Sequence, residues 1–380
     1  MYTNPFTFGA LALDEAFTDR EAEVRELGSD MRNGQDVVVF APRRYGKSSL
    51  VLRAAQQALK SEVLVAYCDL MKTPTKERLA AALAKTIYED VASGLGQALE
   101  RAASLFRGLR ITPVIELDPD DASLRFSFEP ARARPSDIDE TIEKLLELPG
   151  RLAAERKRRV VVVFDEFQEI VRLDEQFPNL MRSVFQTQPE VGHVYLGSKR
   201  HVLERVFSDR NQPFWRSAKR MEIGVIEPAK FRSFIERRFD ETDKAIAEEA
   251  VDRLLAATWG HPYATQELSY FVWELVPNGR RAYLADVEDA LTNVLRSEHN
   301  HFVKIWDDAT RNERLVLLAL AQEPSGLYAA EYQARHGLPS STHVQRAVSG
   351  LVKEEVLGKD DGAYRIVEPF LADWIRREQT

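Results

Sequence analysis

The chain has 380 residues, of which 44% are hydrophobic and 29% are charged, and its formal net charge is −8. A single hydrophobic core stops growing well below this length, so we expect two or three globular domains and no long disordered region. The negative charge excludes non-specific binding to nucleic acid through bulk electrostatics, so a contact with DNA would need a local basic face.

The single cysteine, Cys68, excludes an internal disulfide bond. Cys68 lies in the apolar run Val63–Cys68, where we expect a buried core residue. The first residues lack the pattern of a signal peptide, and no apolar stretch reaches the ~20 residues that a membrane-spanning helix needs. We therefore expect a soluble, cytoplasmic protein without a membrane contact.

The first part of the chain alternates between helical patterns and short apolar runs. Asp19–Met31 predicts an amphipathic helix, and the β-branched run Val37–Phe40 predicts a strand that is buried on both faces. Ser48–Lys60 predicts a helix, Val63–Cys68 a second strand and Pro74–Val91 a further helix. This alternation is typical of a parallel α/β sheet.

The segment from about residue 108 to residue 130 departs from this alternation. Two β-prone runs, Leu109–Leu117 and Leu124–Phe128, flank the turn Asp118–Asp121, which predicts an inserted β-hairpin. A polar loop, Ala131–Pro135, follows the hairpin. Ser136–Arg156 then predicts a helix with its N-cap at the first two residues.

Three more apolar runs complete the predicted sheet: Val160–Phe164, His193–Ser198 and Met221–Ile226. We therefore predict a doubly wound parallel α/β core over residues 1–227. The pattern is helical from Pro228 onward, which predicts an α-helical lid domain over residues 228–306. Three further helical patterns and a terminal hairpin over Val356–Ile366 predict a winged helix-turn-helix over residues 307–380.

A phosphate-binding loop is predicted at Ala41–Ser48, where the usual motif is G-x-x-x-x-G-K-[ST] and Ala41 replaces the first glycine. Gly46 is needed because a Cβ atom there would crowd the β-phosphate. Lys47 would reach the β- and γ-phosphates, and the Ser48 hydroxyl would bind Mg²⁺. A strand pattern precedes the loop and a helical pattern follows it, as an ATP–Mg²⁺ site requires.

An acidic pair, Asp165 and Glu166, ends the strand pattern that begins at Val160. Ligands bind at the carboxyl edge of parallel sheets, so we expect Asp165 to hold Mg²⁺ and Glu166 to polarise the attacking water. The alternative is an acidic surface turn, which the phosphate loop makes less favourable. Ser198 ends the next strand pattern, where it would touch the γ-phosphate or the lytic water, or would cap Lys199 and Arg200.

Together these stretches resemble the archaeal and bacterial ATPases of the AAA+/STAND group that carry a C-terminal winged helix. The resemblance runs from about Asn4 to Ile375 and is carried by the stretches Asn4–Phe6, Phe17–Glu21, Pro42–Leu50, Phe164–Gln168, Gly197–Ser198 and Gly260–Tyr263. It implies ATP hydrolysis with ATP and Mg²⁺ as cofactors. It also implies a set of nucleotide-binding residues: Phe17, Arg20, Pro42, Arg43, Arg44, Tyr45, Gly46, Lys47, Ser48, Ser49, His261 and Pro262.

Two parts of that set have specific implied roles. Phe17–Arg20 would line the adenine pocket, and Gly260–Pro262 would open a lid helix that faces the phosphates in place of an arginine sensor. From the residues alone, Gly260–Pro262 predicts only a helix start, with Pro262 in the first turn. His261 then either contacts the β-phosphate or is a solvated loop histidine.

An arginine that acts on the nucleotide of a neighbouring subunit is a further expectation. AAA+ relatives keep such an arginine finger before the last strand, where Arg216 is the first candidate and Arg210 and Arg220 are alternatives. The other interpretation is that Phe214 and Trp215 pack on the core and that Arg216 is a solvated neighbour.

The sequence of the predicted winged helix does not identify its binding partner. After Pro339, an apolar face (Val344, Val348 and Leu351) opposes a polar face (Ser341, Thr342, Gln345 and Arg346) that is suited to base edges or phosphates. Acidic residues at Glu354, Glu355, Asp360 and Asp361 would repel phosphate and so favour a protein partner. Both DNA and a protein therefore stay open as partners of this domain.

We expect a nucleotide-dependent switch that binds ATP and ADP. The alternative is a homo-oligomeric motor that remodels DNA or protein, and a binder without hydrolysis is disfavoured by the acidic pair.

Overall fold

The computed structural model of the chain describes residues 2–92, 105–106, 109, 114–117, 124–127, 135–360 and 362–379. The chain forms two compact units. We call the first the sheet unit, which comprises Glu21–Ala41 and Leu50–Ile223. We call the second the helical unit, which comprises Met1–Arg20, Pro42–Ser49 and Gly224–Thr380. The phosphate-loop residues thus cluster with the C-terminal part of the chain.

A five-stranded parallel sheet forms the centre of the sheet unit. The strands of this unit, in chain order, are β1 (Val37–Phe40), β2 (Leu64–Asp69), β3 (Val114–Leu117), β4 (Leu124–Ser127), β5 (Val160–Asp165), β6 (Val191–Gly197) and β7 (Lys219–Glu222). The sheet has the order β2-β5-β6-β1-β7, and every neighbouring pair is parallel. The predicted doubly wound α/β core is confirmed.

Apolar strands and helices build the core of this unit. Among the described residues, the α-helices that precede Pro228 are α1 (Glu21–Asn33), α2 (Lys47–Leu59), α3 (Lys76–Thr86), α4 (Pro135–Arg156), α5 (Gln168–Leu173), α6 (Phe177–Phe185) and α7 (Arg200–Ser208). All residues of β1 and β5 are buried, as expected for strands that are covered on both faces. Cys68 is a buried core residue, as predicted, and burial raises the pKa of its thiol to about 12.

The inserted hairpin is confirmed in its paired part. Strands β3 and β4 are antiparallel, with Val114 opposite Ser127. The turn Asp118–Asp121 and most of the predicted loop Ala131–Pro135 lie outside the described residues. Helix α4 begins at Pro135, one residue before the predicted N-cap, because the fixed φ of proline suits a first helical turn.

The last strand lies earlier than the sequence predicted. The expected strand Met221–Ile226 is wrong in its bounds, because β7 pairs only with the four-residue strand β1 and ends at Glu222. The chain then enters the helical unit, where the Ile226 N–H donates to the Gly260 carbonyl oxygen at 2.9 Å. Ile226 is buried in that unit's core.

The helical unit combines the lid and winged-helix patterns around one core. Its helices are α8 (Pro228–Asp240), α9 (Glu248–Thr258), α10 (Pro262–Leu275), α11 (Leu284–Asp308), α12 (Arg311–Gln322), α13 (Ala330–Arg335), α14 (Ser341–Lys353) and α15 (Pro369–Glu378). Two short strands, β8 (Ala245–Ile246) and β9 (Arg281–Ala282), pair in parallel, so the region after Pro228 is not wholly helical. None of the helices among the described residues has the length and apolarity to span a bilayer.

The winged-helix fold is confirmed with one correction. Strands β10 (Leu357–Asp360) and β11 (Ala363–Ile366) form the predicted hairpin, but that hairpin is not terminal. Helix α15 follows it, because Phe370, Trp374 and Ile375 form an apolar face that is buried in the core of the helical unit.

Candidate nucleotide site

The phosphate loop has the backbone conformation that its sequence requires. Gly46 has a φ of +80°, in the left-handed region that favours glycine. An added Cβ atom would meet no protein atom within 4 Å, so the backbone faces open space there. Ala41 does not have a positive φ, which explains why alanine can replace the first glycine of the motif. The Lys47 ammonium group is buried and donates to the Pro42 carbonyl oxygen at 2.9 Å.

Two residues predicted to bind nucleotide hold the loop in place. The buried Arg20 guanidinium donates to the carbonyl oxygens of Tyr45, at 3.4 Å, and Gly224, at 2.7 Å. The Ser49 hydroxyl accepts a hydrogen bond from the Ala12 N–H at 3.1 Å. These contacts fix the loop against the N-terminal segment of the helical unit. Of the other predicted residues, Phe17, Pro42 and Ser48 are half-buried and Arg43 is exposed.

His261 is a buried capping residue. Its side chain is 2% exposed, and Nδ1 accepts a hydrogen bond from the Ala264 N–H at 3.2 Å, which caps α10. The interpretation as a solvated loop histidine is therefore wrong. The turn is enclosed because a Cβ atom at Gly260 would overlap the Ile226 carbonyl oxygen. Pro262 is the first residue of α10, as predicted.

The protonation of His261 follows from this environment. Burial, with a smaller contribution from the positive charge of Arg44, lowers the pKa of His261 to about 3. Because Nδ1 is the acceptor, the proton of the neutral ring lies on Nε2. The ring packs edge-on against Tyr45 of the phosphate loop, with 4.7 Å between ring centroids.

Arg44 connects the phosphate loop to the lid and winged-helix segments. Its guanidinium lies 4.3 Å from the centroid of the Tyr263 ring and pairs with a carboxylate oxygen of Glu368 at 3.3 Å. Burial raises the pKa of Glu368 to about 7, against the opposing effect of Arg44. Glu267 on α10 is also buried nearby, and its pKa is raised to about 8 by burial and then by the charges of Glu298 and Glu368.

The acidic pair is held by neighbours within the sheet unit. One oxygen of Asp165 accepts the Glu166 N–H at 2.9 Å, and the other accepts the hydroxyl of Tyr67 on β2. One oxygen of Glu166, Oε2, accepts both the Ser198 hydroxyl at 3.1 Å and the side-chain amide of Gln168. Ser198 therefore contacts the predicted general base. Its hydroxyl does not cap α7, which has Lys199 at its N-cap with no side-chain cap, but its carbonyl oxygen accepts the Arg200 N–H at 2.9 Å.

Sequence reasoning assigned no role to Tyr67 or Gln168. Tyr67 is found only through the strand register, which places Tyr67 opposite Val163 and Asp69 opposite Asp165. The position of Gln168 was a weak indication of a role at the site, since it follows Glu166 by two residues and is the first residue of α5.

The arginine-finger candidates differ in their surroundings. Arg216 is exposed, and its guanidinium lies 5.3 Å from the centroid of the Trp215 ring. Phe214 is in the core as expected, but Trp215 is 42% exposed, so the interpretation that Trp215 packs on the core is wrong. Arg216 has a φ of +53°, in the left-handed region. Arg210 is also exposed, whereas Arg220 donates to the Ser208 hydroxyl at 2.7 Å.

Residues 17–268 match a family described as an ATPase domain predominantly from Archaea. The chain belongs to this ATPase family. Residues 300–377 of the ATPase match a probable winged helix domain. No curated protein matches the ATPase.

Solved structures share its fold over nearly its whole length. The Walker-type ATPase PABY2304 of Pyrococcus abyssi is 19% identical, with 96% of this chain and 97% of that chain covered and a TM-score of 0.63. The ORC1 protein of Aeropyrum pernix, solved in complex with DNA, is 14% identical, with 96% and 94% covered and a TM-score of 0.50. The expected α/β ATPase fold with a C-terminal winged helix is thus confirmed.

The sheet topology of the ATPase places its acidic pair at the carboxyl edge of the sheet. Because β1, β5 and β6 are parallel, Phe40, Asp165 and Gly197 end at the same edge of the sheet. The phosphate loop continues the chain directly after β1. The carboxyl edge is where open α/β sheets bind their ligands.

The donor set of the ATPase suits Mg²⁺ bound together with nucleotide. Among the described residues, no group of three or more His, Cys, Asp or Glu side chains is arranged to hold a metal ion alone. Mg²⁺ in nucleotide sites is held by one or two protein oxygens together with phosphate oxygens and water. Each unit contains one oxygen donor of that kind: the Ser48 hydroxyl in the helical unit and the Asp165 carboxylate in the sheet unit.

Proposed function

We propose that this ATPase binds ATP with Mg²⁺, hydrolyses it slowly, and acts as a nucleotide-dependent switch of the STAND type. The loop amides and Lys47 hold the phosphates, and Ser48 and Asp165 hold Mg²⁺. Mg²⁺, when bound, neutralises charge on the phosphate oxygens. Glu166 accepts the proton of the attacking water, so that ADP and phosphate are formed.

The observation that supports a switch is the contact between Arg44 and Glu368. Arg44 belongs to the phosphate loop, and Glu368 immediately precedes α15 in the winged-helix segment. A nucleotide phosphate and the Glu368 carboxylate are both anions that an arginine binds, so they compete for the Arg44 guanidinium. Phosphate binding then weakens the contact to the winged-helix segment, and this change is the output of the switch.

The winged-helix segment offers a surface for a partner. On α14, Ser341, Thr342, Gln345 and Arg346 are exposed, while Val344, Val348 and Leu351 are buried in the core. We propose that this polar face binds DNA or a protein partner. We also propose the division of the chain at residues 227 and 306 as the functional boundaries of core, lid and winged helix.

An oligomeric motor is the second candidate function, and the exposed pair Trp215 and Arg216 favours it. A partly exposed tryptophan beside an exposed arginine is the composition that is enriched in protein interfaces. Light scattering of the purified protein, with and without an ATP analogue, distinguishes the candidates. A monomer under both conditions supports the switch, and a nucleotide-dependent ring supports the motor.

The switch is tested by neutralising Glu368. A partly exposed charge-assisted hydrogen bond contributes about 1 kcal/mol, so Glu368→Gln should tighten ADP binding roughly fivefold at pH 8. At pH 6 the effect should disappear, because the pKa of about 7 leaves the wild-type carboxyl group protonated below that value. Calorimetric titration with ADP measures both affinities.

The matched control is Glu323→Gln. Glu323 forms a surface ion pair with Arg335 at 2.8 Å within the winged-helix segment, so its neutralisation should leave the affinity for ADP unchanged. Equal ADP affinities for Glu368→Gln and the wild-type protein at pH 8 would refute the switch mechanism.

A further inference from the structure

We propose that Gln168 is a positioning residue that holds the Glu166 carboxylate for proton transfer from the attacking water. The proposal rests on the proposed function, because it needs Glu166 as the general base. Gln168 itself touches neither the nucleotide nor the water in this role. It acts through one hydrogen bond to the carboxylate.

The two donors to Glu166 meet at a single atom. The Gln168 side-chain amide and the Ser198 hydroxyl both donate to Oε2 of Glu166. The donors come from different elements, because Gln168 begins α5 and Ser198 follows β6. A carboxylate held at one oxygen by two donors has a fixed plane, which leaves its other oxygen, Oε1, to accept the proton of a water.

Glutamine is an unfavourable residue for merely filling space at position 168. The side chain is 2% exposed, and its carbonyl oxygen is buried without a hydrogen-bond partner. An apolar side chain would avoid that desolvation cost. The amide nitrogen must face Glu166, because the carbonyl oxygen would repel the carboxylate. The buried amide is therefore explained by its hydrogen bond to Glu166.

The neighbouring backbone makes room for this amide. A Cβ atom at Gly197 would overlap the carbonyl oxygen of Gln168 and would lie 2.9 Å from the Leu203 side chain. Glu166 has a φ of +55°, which is an unfavourable region for a residue with a side chain. The turn is held by the Phe167 N–H, which donates to the Leu196 carbonyl oxygen at 2.7 Å. Strained backbone of this kind often occurs where a functional side chain must be aimed.

The test compares Gln168→Met in two backgrounds. Methionine matches the length of glutamine but donates no hydrogen bond. We expect kcat for ATP hydrolysis to fall roughly 10- to 100-fold with KM within about twofold, the size of loss that a misplaced catalytic group causes. In the Glu166→Gln background, Gln168→Met should cause less than about a twofold further loss, because the group that it positions is absent.

Gln188 provides a matched control. It is also a buried glutamine, 8% exposed, its carbonyl oxygen is also without a partner, and its amide donates to the Leu146 carbonyl oxygen at 2.9 Å. Gln188→Met should leave kcat within about twofold of the wild-type value, because that amide contacts no catalytic group. Thermal melting of each variant reports whether the fold is intact.

The outcomes separate this inference from the proposed function. If Gln168→Met has an unchanged kcat while Glu166→Gln is inactive, the role of Gln168 is overturned and the proposed function stands. The same conclusion follows if Gln168→Met lowers kcat equally in the wild-type and Glu166→Gln backgrounds. A wild-type chain that hydrolyses no ATP overturns the proposed function and this inference with it. If Gln168→Met does not fold, Gln168→Leu carries the same test, since its smaller apolar side chain also lacks the donor and should lower kcat by a similar factor.

Discussion

Burial of Glu267 makes the stability of the helical unit depend on pH. Its side chain is 1% exposed on α10, and one carboxylate oxygen has no hydrogen-bond partner. Burial and then the charges of Glu298 and Glu368 raise its pKa from 4.5 to about 8, against the opposing effect of Arg44. The folded protein therefore binds this proton more tightly than the unfolded chain does. The resulting stability is fully present below pH 4.5 and is lost as pH rises towards 8.

The substitution Glu267→Gln removes this penalty. A pKa difference of this size corresponds to roughly 5 kcal/mol at most, and protonation of neighbouring carboxyl groups reduces the measured value. We expect Glu267→Gln to stabilise the helical unit by about 2–4 kcal/mol at pH 8.5 and by less than about 1 kcal/mol at pH 5. In a unit of this size, that gain raises the melting temperature at pH 8.5 by about 5–10 °C.

Thermal melting from pH 5 to pH 9 provides the assay. Glu274→Gln is the matched control, because Glu274 is an exposed carboxylate on the same helix. It should change stability by less than about 0.5 kcal/mol at every pH. A gain for Glu267→Gln that is equal at pH 5 and pH 8.5, or a loss at pH 8.5, would refute the reasoning.

Three further predictions concern the nucleotide site. Lys47→Ala should abolish ATP binding in calorimetry with the fold intact, because the cation that faces the β- and γ-phosphates is lost, and unchanged affinity would remove the site assignment. Tyr67→Phe should raise the Mg²⁺ concentration for half-maximal hydrolysis roughly tenfold, since the hydroxyl orients Asp165, and an unchanged Mg²⁺ requirement contradicts that role. If Arg216 is a finger, Arg216→Ala should spare ATP binding, and mixing it with Glu166→Gln should restore some hydrolysis. If Arg216→Ala alone hydrolyses ATP at the wild-type rate, Arg216 is not an arginine finger.

Local pattern was sufficient to predict most of the sheet. The strand Val37–Phe40 is found with the predicted bounds, because four β-branched or aromatic apolar residues in a row are buried on both faces. Gly260–Pro262 begins a helix as expected, because proline suits the first turn. These features depend on neighbours in the chain.

The features that sequence reasoning missed depend on residues that are distant in the chain. Glu368 lies 324 positions after its partner Arg44, and no periodicity or motif joins them. Burial of His261 depends on how its turn packs, which a loop sequence does not encode locally. The last strand was misplaced because the length of β1, its pairing partner, set where β7 ends. Tertiary packing decided each of these positions.

The proposed function requires that the chain binds ATP and that Glu166 carries its hydrolysis. A single-turnover experiment with radiolabelled ATP and Mg²⁺ measures bound and cleaved nucleotide together. Glu166→Gln should retain ATP while cleaving it roughly 10²- to 10⁴-fold more slowly than the wild-type protein. Glu169→Gln, which neutralises a carboxylate paired with Arg172 within α5, should cleave at the wild-type rate. Cleavage by Glu166→Gln at the wild-type rate, or failure of the wild-type protein to retain ATP, would contradict the account.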